Sequence, residues 1–324
     1  MKRPEGEGSE GKGKERAGQG GLVVVGSVAL DTVEVASGRC ENILGGSASF
    51  FSTAASYFTR PHLVAVVGED FPEEHVEFLG QRGVDLTGLE RVQGQTFRWV
   101  GRYSKDLTSR TTLETHLNVF AGFQPRLPES YRDAEFVFLG NILPSLQLEV
   151  LEQVRRPRLV AMDTMNLWID TQRDDLKRVL KRIDLLVIND EEARQLAEEH
   201  NLPRAARAIR QMGPATVIVK RGDSGALLFH EGGVFAAPAY PLEEVVDPTG
   251  AGDTFAGGFM GYLARVRDLG PTAVRVAMIY GSVMASFCVE AFSLDRLRSL
   301  GRQEIADRFR AFQELTHFEG VHLD

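Results

Sequence analysis

Hydrophobic residues fall along this chain in three patterns, and each predicts a different kind of element. Short apolar, β-branched runs at 22–25, 136–139, 158–162, 184–188 and 215–219 read as strands buried on both faces. From residue 136 onward most of these runs are separated by helix-like segments, the alternation expected of a parallel sheet covered by helices. Alternating polar and apolar residues at 32–35 and 97–103 suit strands with one solvated face, which predicts a small sheet apart from the core. Two short runs, 226–229 and 234–236, flank a Glu231-Gly232-Gly233 turn and predict an antiparallel hairpin added late to the main sheet. Helical patterns follow at 252–266 and 272–288.

Before residue 21 the pattern is absent. Residues 1–20 are mostly Gly, Lys, Glu and Arg, so ordering them would cost conformational entropy without hydrophobic return, and a disordered tail is expected. No internal repeat and no Pro-rich or Ser-rich linker interrupts the remainder, so 21–324 reads as one domain with lid segments near 31–44 and 95–118. The formal net charge of −8 argues against a general nucleic-acid binder, while leaving room for a basic pocket around one phosphorylated ligand. Cys40 and Cys288 show neither CxxC spacing nor clustered histidine partners, which excludes a disulfide framework and a structural zinc site and suits a reducing cytoplasm. No apolar run approaches the ~18 residues of a membrane span, so no membrane partner is expected.

Chemistry concentrates at Asp247-Pro248-Thr249-Gly250-Ala251-Gly252-Asp253, where a turn of small residues leads directly into an apolar helix. Small residues let backbone N–H groups approach a ligand closely, and the positive end of the following helix favours negative charge. Such donors suit the charge on a transferring phosphoryl group. A carboxylate at Asp253 would lie beside whatever the turn holds, within reach of an attacking hydroxyl, where a general base belongs. Taken singly, Asp253 could be a helix cap and the glycines a tight connection. Their conjunction in one stretch favours a site.

This stretch resembles the C-terminal signature of the ribokinase-like, or PfkB, family of carbohydrate kinases, D-x-x-G-A-G-D followed by small residues. The resemblance implies an open, mostly parallel α/β sheet flanked by helices, a small β lid, ATP as phosphoryl donor and Mg²⁺. It also implies Asp253 as the catalytic base, Gly250, Ala251 and Gly252 as the anion hole, and in some members a monovalent cation near the Asp247 turn. Gly45-Gly46-Ser47-Ala48 and Val67-Gly68-Glu69-Asp70 resemble the N-terminal half of the family. By that likeness Asp31, Gly45 and Gly46 contact substrate hydroxyls. The chain departs from the pattern where the family usually carries Asn after the paired glycines, for it reads Ser49-Phe50-Phe51-Ser52. An aromatic there either makes the acceptor pocket less polar, favouring a cyclitol or nucleoside, or packs in the core.

Further positions follow from the same resemblance. Asn189 and Glu192 match an N-x-x-E motif that organises phosphate and magnesium through water, although the same residues would also make a helix cap. Lys220, Gly222 and Gly225 lie where the family runs along the nucleotide, and Ser282, with Ser286, lies on the helix that walls the adenine. Asp163 and, one residue out of register, Asn166 resemble a D-x-N segment on the substrate side. Arg110 on the lid is suited to bidentate phosphate contact, and His116 and Asn118 lie nearby. The expected partner is a small sugar, cyclitol or nucleoside, with a homodimer through the lid as a further expectation from Phe97 and Trp99. Two other readings compete. One is a ligand-binding regulator without turnover, against which the intact Asp253 turn speaks. The other is a nicotinamide oxidoreductase, for which the opening strand lacks a following G-x-G-x-x-G.

Overall fold

The structure is a computed structural model that describes residues 21–319, and the tail predicted at 1–20 lies outside the described residues. In chain order the strands are β1 (Leu22–Val25), β2 (Ala29–Val35), β3 (Gly38–Gly45), β4 (Pro61–Gly68), β5 (Asp85–Val92), β6 (Arg98–Tyr103), β7 (Arg110–His116), β8 (Phe136–Leu139), β9 (Leu159–Asp163), β10 (Leu185–Asn189), β11 (Thr216–Lys220), β12 (Ala226–His230) and β13 (Gly233–Ala237). β1 shows why the main sheet needs cover on both sides, since its four residues are all fully buried. Leu22 and Val24 face a core that includes helices Ser47–Ala55, Ala251–Val266 and Pro271–Cys288. Val23 and Val25 face the opposite core, built with helices Pro144–Gln153, Arg173–Leu180, Asp190–Ala197 and Leu202–Met212. Side chains of a strand alternate between faces, so an unbroken apolar run is the signature of this two-sided burial.

The larger sheet has nine strands in the order β13-β12-β11-β10-β9-β8-β1-β4-β5. It is parallel from β11 through to β5, and the late hairpin β12–β13 adds two antiparallel strands at one edge. β1 pairs with β4 on one side and β8 on the other, so the strand order reverses there, and open α/β sheets bind ligands beyond the carboxyl ends at such a point. A separate four-stranded sheet, β3-β2-β6-β7, stands beside those ends as a lid. Asp70 anchors its base, accepting hydrogen bonds from the Thr96 N–H and hydroxyl, both at 2.7 Å, and from Arg98 at 2.8 Å. β2 begins three residues before the predicted alternation because Ala29 and Leu30 are buried where the chain leaves the main sheet. β5 was not predicted: it is an edge strand whose Thr87, Glu90 and Arg91 face solvent and blur the apolar pattern. No helix among the described residues is long and apolar enough to cross a membrane.

Helix Ser47–Ala55 and helix Ala251–Val266 approach each other nearly backbone to backbone. A Cβ on Gly257 would fall 2.3 Å from the Phe51 carbonyl oxygen, and one on Gly261 would fall 2.9 Å from Ala55 Cα. At a roomy helical position Gly→Ala would stabilise by about 0.5–1 kcal/mol. Here the collision dominates, so Gly257→Ala is expected to destabilise by about 1–3 kcal/mol, read from the midpoint of urea unfolding. A neutral or stabilised variant would show that the two helices are held less tightly than this.

Candidate active site

The turn before helix Ala251–Val266 is held from below by a buried carboxylate. Asp247 accepts the Thr249 N–H at 2.8 Å on one oxygen and the Ser293 N–H at 3.2 Å on the other, while Val246 N–H donates to Val289 O at 2.8 Å. Burial raises the Asp247 pKa, and these two donors oppose that rise. Gly250 then takes a positive φ of 74°, and a Cβ there would fall 2.4 Å from the Phe50 ring. Phe50 is therefore the floor of the turn, 2% exposed, and it does not line an open pocket. Phe51 packs in the core against Phe138, ring centroids 4.4 Å apart. Beyond Gly250, the Ala251 N–H bonds Pro248 O at 3.2 Å and the Thr254 N–H bonds Gly250 O at 2.8 Å. The Gly252 N–H between them has no backbone acceptor among the described residues, as the first turn of a helix leaves it.

Around this turn the fold gathers three acids and one base. Asp163 ends β9 and lies close enough to Asp253 to feel its charge. Burial raises Asp163 well above the usual carboxylate range, and the Asp253 charge adds to the rise. Asp253 is raised chiefly by burial, but the Lys220 ammonium pulls it back. Lys220, at the end of β11, reaches so close that a Cβ on Gly252 would fall 2.5 Å from its Nζ. Its strand neighbour Asn189 caps the next helix: the Glu192 N–H donates to Asn189 Oδ1 at 2.7 Å, and the Asn189 N–H donates to Glu192 Oε2 at 3.1 Å. The helix-capping reading of Asn189 and Glu192 is thus realised, with the buried Glu192 still close enough to feel Lys220 and Arg110.

On the other side of Asp253 lies a polar cradle. Gly46 has φ 90°, and a Cβ on Gly45 would fall 2.0 Å from an Asp31 carboxylate oxygen, so only glycine lets Asp31 fold over this turn. Burial pushes Asp31 up to about 7, helped by the charges of Asp247 and Asp253 and opposed by the Gly46 N–H and Arg110. Asp31 pairs with Trp99 in the parallel β2–β6 ladder, which puts both on the inner face of the lid. Tyr103, on that face, accepts the Thr249 hydroxyl at 3.1 Å, so the lid touches the turn itself. Arg110 lies 5.2 Å from the Trp99 ring centroid.

Not every expected residue joins the cluster. Gly222 (φ 55°) and Gly225 (φ 79°) shape the loop after β11, and a Cβ on Gly225 would fall 2.2 Å from Ala237 O. Ser282 is buried on helix Pro271–Cys288 and makes no hydrogen bond to the cluster among the described residues, while Ser286 instead receives Arg308 at 3.2 Å. Asn166 is exposed, His116 pairs with Glu114 at 2.8 Å on the lid surface, and Asn118 donates to Thr96 O at 2.9 Å. Tyr103, which touches the turn through Thr249, was not singled out from the lid alternation at 97–103. Among the described residues no three His, Cys, Asp or Glu side chains converge as a metal site. The free oxygens of Glu192 and Asp163, the latter with Oδ1 unpartnered, fit a hard cation held mainly through water and phosphate.

A family model described as pfkB family carbohydrate kinase matches residues 20–295. The chain is similar to a cytidine kinase of Thermococcus kodakarensis, 32% identical over 76% of this chain and 90% of that protein. It is also similar to an inositol 3-kinase of Arabidopsis thaliana, 24% identical over 93% of this chain and 83% of the relative. Among solved structures, Arabidopsis thaliana ribokinase complexed with ribose and ATP matches with a TM-score of 0.72 and 21% identity, covering 90% of this chain and 99% of that one. The main sheet and lid are those of the ribokinase-like fold.

Asp31 supplies a measurable signature of the site. Its folded pKa of about 7 lies above the unfolded value of 3.8, so stability is lost as pH rises from about 4 through 7. Asp31→Asn is expected to be more stable than the parent at pH 8 by up to about 4 kcal/mol, with the gap closing towards pH 4. Thermal unfolding across that range measures it. A gap that does not change with pH would mean that Asp31 is not held in this environment.

Proposed function

Because this chain belongs to the pfkB family of carbohydrate kinases, we propose that it transfers the γ-phosphoryl group of ATP to a hydroxyl of a small sugar-like acceptor, with Asp253 as general base. The observation that carries the reading is the position of Asp253. Its carboxylate opens a helix at an anion-accepting turn, with Lys220 on one side and the Asp31–Gly46 cradle on the other. In the reaction the acceptor oxygen forms a bond to the γ-phosphorus, the bond from that phosphorus to the β,γ-bridging oxygen breaks, and ADP leaves. The hydroxyl proton passes to Asp253, whose carboxylate is favoured by the nearby Lys220 ammonium.

The Gly252 N–H, presented by the Gly250–Gly252 turn, and the Lys220 ammonium would hold the charge of the transferring group, a task for donors already in place before the reaction. Asp31 and the Gly45-Gly46 backbone would orient the acceptor, with Asp163 beside it. Arg110 would close over the phosphates from the lid, excluding water that would otherwise hydrolyse ATP. Lys220, Gly222 and Gly225 would run along the nucleotide. Mg²⁺, held through water by Glu192 and its partner Asn189, would neutralise charge on the β- and γ-phosphates. A monovalent cation near the Asp247 turn stays an expectation of the resemblance, since each Asp247 oxygen that accepts a backbone N–H keeps a further lone pair. We place the reaction in a reducing cytoplasm, on the two free cysteines Cys40 and Cys288. A dimer through the lid draws support from β7, whose seven residues are all exposed.

The reading is tested by ATP consumption with Mg²⁺ against pentoses, hexoses, inositols and nucleosides. Asp253→Asn is expected to lower kcat by about 10²–10⁴-fold while ATP binding persists. Lys220→Met should lower kcat by about 10²–10³-fold through loss of charge stabilisation. Acceptor binding without phosphoryl transfer in the parent protein would favour the regulator reading, and an Asp253→Asn enzyme at full rate would remove Asp253 from the chemistry.

A further inference from the structure

β8 and β9 run in register, Leu139 beside Met162, so the residues that follow them, Asn141 and Thr164, emerge side by side at the carboxyl end of the sheet. Gly140 abuts the cradle, since a Cβ there would fall 3.1 Å from Ser47 Oγ, and Asp163 touches Asp253. Asn141 therefore stands at the acceptor side of the site, between the paired glycines and the base. From the short helix Asn166–Thr171, Trp168 donates its Nε1–H to Asn141 Oδ1 at 2.7 Å.

That bond fixes which way the carboxamide points. With Oδ1 taken by the indole, the Asn141 amide presents its Nδ2 donors, and its partner there is the Met165 thioether at 3.2 Å, a weak acceptor. Beneath lies further unspent capacity. Thr164 Oγ1 and Gln147 Oε1 are buried and have no partner among the described residues, Gln147 being 1% exposed. A half-buried indole and thioether beside an amide with donors to spare suit a flat heteroaromatic ring that stacks and offers ring nitrogens or carbonyl oxygens. A cyclitol, with a hydroxyl on every carbon, would need polar partners where Trp168 and Met165 stand.

We propose that Trp168 and Asn141 form a subsite for a nucleobase, making the acceptor a nucleoside. The proposal rests on the phosphoryl-transfer reading for its role, but not for its test, which is binding.

The chain has two tryptophans, so Trp99→Phe leaves Trp168 as sole reporter and Trp168→Phe leaves Trp99. The probes are cytidine, uridine, adenosine, guanosine and inosine, with myo-inositol and ribose as controls and no ATP present. At least one nucleoside is expected to change Trp168 emission saturably in the Trp99→Phe protein, with the same Kd as equilibrium dialysis on that same variant. Asn141→Ala, checked for folding by circular dichroism, should weaken that Kd by about tenfold. Nucleoside binding that moves only Trp99 emission would overturn the assignment, as would binding indifferent to Asn141→Ala. Turnover of inositol or ribose with no nucleoside bound in dialysis would sink the inference and leave the kinase reading standing. Nucleoside binding through Trp168 without phosphoryl transfer would do the reverse.

Discussion

The site depends on one close approach, that of helix Ser47–Ala55 to helix Ala251–Val266. Each helix begins at a glycine with positive φ, Gly46 in one and Gly250 in the other. Because Gly257 and Gly261 carry no side chain, the two backbones meet, and Phe50 of the first helix comes to rest under Gly250 of the second. Two helix N-termini, 204 residues apart in sequence by the numbers of their opening glycines, are thereby set side by side. A helix N-terminus attracts negative charge and carries free N–H groups, so pairing two of them builds an electropositive cradle out of backbone alone. Asp247 and the 289–293 segment then hold the second N-terminus from behind.

Into this cradle the fold packs more acid than it can comfortably ionise. Asp31, Asp163, Glu192, Asp247 and Asp253 are all raised by burial first, and Lys220 and Arg110 relieve only some of them. The cost is the usual one at a reaction centre, where pKa values are displaced and stability is given up for chemistry. The outcome is a difference between like groups: Asp163 is raised well above the usual carboxylate range by burial and the Asp253 charge, whereas the Lys220 ammonium pulls Asp253 back. The lid completes the enclosure. Its inner face brings Asp31, Trp99, Tyr103 and Arg110 over the same point, and Asp70 keeps the lid strands rooted to the main sheet.

Much of this was legible in the residue order because the relevant signals are local. Two-sided burial writes itself as unbroken apolar runs, which is why β1, β8, β9, β10 and β11 were found. The turn at Asp247–Asp253 needs small residues and a carboxylate in consecutive positions, so its chemistry could be read without a fold. The alternation in β6 was equally plain, whereas β5 and β7 were not, since an edge or fully exposed strand has no buried face to impose a period.

What only the tertiary structure decided are the relations between distant segments. Phe50 could be read as pocket wall or core, and the approach of Gly250 from another helix settled it as floor. Asn189 and Glu192 form a helix cap through reciprocal hydrogen bonds, and the pairing of β10 with β11 sets that cap beside Lys220. Asn141 and Trp168 carry no motif at all, and their pairing exists only because β8 and β9 are neighbours in the sheet. Composition and spacing determine which elements form, since each depends on a few successive residues. The raised pKa of Asp163, the reach of Lys220 and the orientation of Asn141 depend on groups far apart in the chain, whose distances are set by packing.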